Sequence, residues 1–92
     1  MTLFVLTYGV RATNHQYQPL YDQLDIWDAA HLQNSVRLAD LIGPAGAIRD
    51  AMMAHMHPKD TVCVIQLPQP AFDWATSYAR QTGKDWLEAR CP

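Results

Sequence analysis

The sequence predicts an α+β fold: one antiparallel four-stranded sheet, two helices on one of its faces and a helical tail at the C-terminus. Three observations carry this. Two apolar, strand-forming runs lie far apart in the chain, Thr2 to Val10 and Thr61 to Leu67. Two stretches with helical spacing of apolar residues each begin beside a proline, Pro19 and Pro44. Between those stretches lies a hairpin pattern turning at Asn34.

The first strand carries two alternating sets, Phe4, Leu6 and Tyr8 against Leu3, Val5 and Thr7. Both sets are largely apolar, so both faces of this strand are expected to be covered. The run is too short to cross a membrane as a helix. Arg11 to Gln18 reads as a loop. Leu20, Tyr21, Leu24 and Trp27 then recur at helical spacing and predict a helix over 18–27, with Tyr17 packing back onto Tyr21. Ala30 to Gln33 and Ser35 to Leu41 are the hairpin strands, with Val36 and Leu38 on one face and Arg37 on the other.

Gly43-Pro44 opens the second helix. Ala45, Ile48, Met52 and His55 or Met56 form its buried stripe, and His57-Pro58 ends it. The strand from Thr61 to Leu67 is again apolar on both faces. Pro68-Gln69-Pro70 breaks it. Phe72 and Trp74 require apolar anchorage beyond that break. Thr82 is placed to cap a last helix reaching Arg90, with Trp86 and Leu87 or Ala89 facing inward. Trp27, Trp74 and Trp86 read as core.

The order strand, helix, strand, strand, helix, strand is the ferredoxin-like arrangement. It makes 1–92 a single domain, with a βαββαβ core over 1–67 and a tail over 68–92. Two helices cover one sheet face only. An apolar second face on so small a domain predicts a homodimer formed through the sheet, with the tail adding cover.

Composition narrows the function classes. Hydrophobic residues are 49% and charged ones 17%, the profile of a globular domain rather than a disordered chain. The seven Lys and Arg residues form no run and the net charge is −2, which argues against strong non-specific nucleic-acid binding. Cys63 sits in an apolar run and is expected to be a buried thiol. Cys91 reads as an inert end. With no basic segment ahead of the first strand, these cysteines point to a reducing cytoplasm.

The pieces Leu6-Thr7-Tyr8-Gly9-Val10, Tyr17-x-x-Leu20-Tyr21-x-x-Leu24 and Ser35-Val36-x-Leu38 come in a telling order. Ile48-Arg49-Asp50, His55, Asp60 and Val64-Ile65 follow, then Asp85-Trp86-Leu87. Together they resemble the SinR-like proteins and, more distantly, the small ferredoxin-like endoribonucleases of CRISPR adaptation. The resemblance implies a dimer in a prokaryotic defence or toxin–antitoxin setting. In those nucleases an Asp follows the strand-end Tyr and holds a divalent metal across the dimer axis. Gly9 stands at that position here and has no ligand atom, so the resemblance carries fold and dimer without catalysis, and no cofactor is expected. The 68–82 stretch is expanded against the family pattern.

The remaining site candidates are Tyr8, Arg11 and Arg37, expected to converge as a nucleic-acid or phosphate contact. For Tyr8 the plainer role is a buried aromatic at the dimer interface, and for the arginines it is surface charge. Gly9 equally suits a turn with positive φ. His55-x-His57 has a metal-ligand spacing, but lacks a third ligand in pattern and fits a helix end better. Asp22 and Asp25 are helix neighbours that read as a solvated face. The rival reading is a nuclease with a relocated site built from Tyr8, Arg11, Arg37 and a helix acid, with Mg²⁺ or Mn²⁺. A third is nucleic-acid binding without catalysis.

Overall fold

The computed structural model describes residues 2–11, 16–69 and 71–90. The reading of Cys91 and the middle of the 11–18 loop lie outside them. Within them run β1 (Thr2–Gly9), α1 (Gln18–Ile26), β2 (Ala30–Gln33), β3 (Val36–Leu41), α2 (Ala45–Met53), β4 (Thr61–Gln66) and α3 (Gln81–Arg90). The four strands form one sheet in the order β2-β3-β1-β4. Every neighbouring pair is antiparallel. β1 is central, with Leu6 opposite Arg37 on one side and Val64 on the other.

One sheet face is covered by α1 and α2. Leu20 and Leu24 of α1, Ile48 and Met52 of α2, and Met56 just beyond it pack on Phe4, Leu6 and Tyr8 of β1 and Ala39 and Leu41 of β3. Phe4, Leu6, Leu20, Leu24, Leu38 and Met52 are almost wholly enclosed. Each such side chain contributes about 1.5–3 kcal/mol of hydrophobic stabilisation. α1 begins as expected, with proline in its first turn, which leaves no lost hydrogen bond there. α2 stops at Met53, short of the expected end at His57. Its chain turns at once, and the N–H groups of Ala54, His55 and Met56 bond back to Asp50, Met52 and Met53 carbonyls.

The second face has its own core. Trp86 and Leu87 of α3 bury against Leu3 of β1 and Leu38 of β3, and Leu32, Leu67, Phe72 and Trp74 pack around them. Both apolar faces of β1, which the sequence left to a partner chain on one side, are therefore covered within the chain. Trp27 and Trp74 are half-buried at the margins of the two cores, and only Trp86 is fully core. Thr82 does not cap α3, which starts one residue earlier at Gln81. Its hydroxyl instead donates to the His31 carbonyl on β2 at 3.0 Å.

α3 lies chiefly over β2 and, less, over β3. This corrects the reading of Cys63 as a buried thiol: it is exposed. β4 is an edge strand, and on it Cys63 and Ile65 remain open to solvent on the face opposite α1 and α2. Ile65 is 51% exposed. Among the described residues no helix is long and apolar enough to cross a membrane.

Candidate functional site

Where β1 ends, the β2–β3 hairpin and α1 come together around a small polar cavity. Strand alternation puts Tyr8, Leu6 and Phe4 on the α1 side of the sheet. Leu6 pairs with Arg37 and Arg37 pairs with His31, so these two side chains leave the sheet on that same side. The hairpin turns at Asn34-Ser35, with Ser35 in the left-handed region at φ 62° and a register shift between His31 and Gln33. The Ser35 carbonyl accepts from the Tyr8 N–H at 3.1 Å, which ties the turn to the end of β1. Tyr8, Tyr21, His31, Asn34, Ser35 and Arg37 line a cavity of about 280 Å³.

Arg37 is its fixed charge. The side chain is only 12% exposed. Its Nη1 donates to Asp25 Oδ1 at 2.9 Å and to the Ala29 carbonyl at 3.4 Å. Burial works against its positive charge, but the Asp25 carboxylate and the Tyr8 hydroxyl beside it outweigh burial and hold the guanidinium more firmly protonated than usual. Its Nε is buried without a hydrogen-bond partner. Across the ladder His31 Nε2 is in the same condition. Burial, then the positive charges of Arg80 and Arg37, lower the His31 pKa, so the imidazole is neutral at pH 7. Arg80 is held beside it by Asn34, whose Oδ1 accepts from Arg80 Nη2 at 2.9 Å.

Tyr8 and Arg37 are thus brought together as the sequence suggested, and Arg11 is not. Arg11 lies past the end of β1 and does not line the cavity. Its backbone N–H donates to Asp60 Oδ1 at 2.9 Å, which turns the chain toward the start of β4. Tyr8 is buried in this chain's own core, not left for a dimer interface. Gly9 is a regular strand residue paired with Thr61 and does not have the positive φ expected of a turn glycine. A Cβ there would sit in ordinary contact with the Thr61 side chain, at 3.5 Å, so side chains fit at this position.

The other candidates have structural roles. His57 Nδ1 accepts from the Lys59 N–H at 3.1 Å, and the His57 N–H donates to Asp60. Asp22 is exposed and accepts from Gln18. Among the described residues no three His, Cys, Asp or Glu side chains gather as a metal site would require.

Sequence reasoning passed over His31, Tyr21, Asn34 and Ser35. His31 had a usable signal, since a hairpin turning at Asn34-Ser35 sets it near Arg37 on one face. Tyr21 looked like part of the helix stripe, and its place on the cavity wall depends on how α1 crosses the sheet. No known family, curated protein or solved structure matches this chain.

Proposed function

We propose that this chain is a ferredoxin-like, homodimeric module that binds single-stranded nucleic acid without cleaving it. The observation that carries the proposal is the cavity at the end of β1. It offers a buried arginine, a histidine and two tyrosines, the combination that pairs with a phosphate and stacks a base. The element order and the strand order β2-β3-β1-β4 support the ferredoxin-like reading. The resemblance to SinR-like proteins and CRISPR-adaptation endoribonucleases supports a setting in prokaryotic defence or toxin–antitoxin systems.

The non-catalytic part rests on residue types. Gly9 supplies no ligand where the resembling nucleases place their metal-binding Asp. Of the cavity residues only His31 belongs to a type that titrates near neutral pH, whereas general acid–base chemistry on a phosphodiester uses a proton donor and an acceptor. The nearest carboxylate, Asp25, is committed to Arg37. A relocated nuclease site also loses Arg11, which does not line the cavity. Pairing through the sheet is supported by β4, an edge strand whose Cys63 and Ile65 are open to solvent on the face opposite α1 and α2.

The test uses fluorescently labelled single-stranded RNA and DNA, with and without Mg²⁺ or Mn²⁺, alongside sedimentation mass. The reading expects binding that weakens with salt, intact strands, and a mass twice the 10.4 kDa of one chain. The salt slope should be shallow, equivalent to about one or two phosphates. Cleavage that survives repurification, a monomer mass, or no binding at low salt each overturns the corresponding part.

A further inference from the structure

The free hydrogen-bonding capacity in the cavity says which part of a nucleic acid it suits. Arg37 spends Nη1 on Asp25 and Ala29. Its Nε is buried and unpartnered. In a guanidinium, Nε–H and the adjacent Nη2–H point the same way and form the edge that meets two oxygens of one anion. His31 Nε2, from the residue paired with Arg37 across the ladder, is also buried and unpartnered. Buried polar atoms without partners are costly and uncommon. The two, on neighbouring side chains that line one cavity, call for a ligand that accepts from Arg37 and shares a proton with His31, whose ring N–H is given to the Gln33 backbone so that its neutral Nε2 is an acceptor. The hydroxyls of Tyr8 and Ser35 add two more donors on the same wall.

A carboxylate has two oxygens and an internal phosphodiester has two non-bridging ones. A phosphomonoester has three and, with a second pKa of about 6, still exchanges a proton near neutral pH, which matches the Arg37 edge plus the acceptor at His31 Nε2. Size points the same way. About 280 Å³ suits one phosphate with its sugar, not a run of nucleotides. Nor does a basic track lead away from the cavity. The chain has only seven Lys and Arg residues, and the one nearest to Arg37 and His31, Arg80, is bonded to Asn34. The charge of Asp25, the acid paired with Arg37, is answered by Arg37 Nη1. Tyr21, half-buried on α1, offers a ring face to the terminal base.

We propose that the cavity lined by Tyr8, His31, Ser35 and Arg37 recognises a terminal phosphomonoester, on a strand end or on a free mononucleotide. The inference rests on the nucleic-acid reading above and names the group it holds. Arg37 binds through its Nε/Nη2 edge, His31 Nε2 accepts the proton that the monoester still carries, and the hairpin turn closes one side.

The test is a binding titration of the full chain with short single strands bearing a 5′-phosphate, a 3′-phosphate or hydroxyls at both ends, and with nucleoside monophosphates. One phosphorylated form should bind at least about tenfold tighter than the hydroxyl-ended strand. His31→Gln and Arg37→Lys should each erase that preference while leaving residual binding of the hydroxyl-ended strand. Arg37→Lys keeps the charge and removes only the fork, so its loss of preference separates geometry from net charge. If the monophosphate matches the phosphorylated strand, the free nucleotide is the source. If it binds more weakly, the strand end is. Equal affinity for phosphorylated and hydroxyl-ended strands overturns the inference and leaves the nucleic-acid reading standing. No binding of any strand overturns both. Near-UV circular dichroism confirms folding, and a folded His31→Gln that keeps the preference refutes the assignment by itself.

Discussion

At Asp60 three donors converge on one carboxylate. Tyr17 Oη donates to Oδ2 at 2.6 Å, the His57 N–H to Oδ2 at 2.9 Å and the Arg11 N–H to Oδ1 at 2.9 Å. Burial raises the pKa of this side chain, but the hydrogen bonds from Tyr17, Arg11 and His57 outweigh it and leave the value lowered. The unfolded chain therefore takes up this proton first, at about pH 3.9, as acid is added. The stabilisation is complete above that pH and is lost as pH falls through the lower folded value. His31 acts in the same sense near neutrality, since its lowered pKa favours the neutral folded form and costs stability as pH drops below about 6.5. Thermal unfolding followed from pH 7 to pH 2 should show stability declining over both windows. Asp60→Asn should be less stable at pH 7 and should flatten the decline below pH 4. An unchanged acid limb in that variant would remove Asp60 from the account. Little of this was visible in the sequence. Nothing marked Asp60 as a hydrogen-bond hub, because its three partners come from separate places in the chain. Gly9 was legible as a position without a ligand atom, but not as an ordinary strand residue, because its pairing with Thr61 depends on β4 lying beside β1.

Among the elements, α3 decides how the second sheet face is finished. Its closest approach to β2 is at Gly83, where a Cβ would fall 2.6 Å from Leu32 Cα and within 3 Å of that side chain. Leu32 Cα is β2 backbone, its carbonyl held by the Arg80 N–H at 2.8 Å, and cannot swing aside as a side-chain tip would. Gly83→Ala would gain about 1 kcal/mol of helix propensity. Overpacking against a fixed strand costs about 1–3 kcal/mol. The clash should win, lowering the melting temperature by several degrees and loosening Trp86, which fluorescence would report. A more stable Gly83→Ala protein would contradict the close packing described. Trp86 itself is braced from outside by Arg90, whose guanidinium carbon lies 4.3 Å from the ring centroid. The sequence announced α3 through Trp86 and Leu87 but not its target. The apolar alternation of β1 asked for a second cover, and a partner chain and the tail answer that request equally well until the tail is seen in place. Cys63 was misread for the same reason. Apolar neighbours predict burial only if something lies above the strand, and α3 lies chiefly over β2.

On the scale of the whole molecule, most element positions followed from periodicity and from Pro, Asn and Gly punctuation. Those signals are local. The cavity is not local. It takes Tyr8 from the central strand, Tyr21 from a helix, His31 and Arg37 from an edge hairpin, and Asn34 and Ser35 from the turn between them. Only the crossing of α1 over the sheet and the register of three strands bring these side chains to one place. The central claim is that this junction is where the protein meets nucleic acid. Amide chemical-shift mapping with a phosphorylated single strand tests it most directly. The account predicts that the largest shifts fall on Tyr8, His31, Asn34, Ser35 and Arg37, with β4 and the outer face of α3 little changed. Shifts centred elsewhere, with these five residues still, would contradict it.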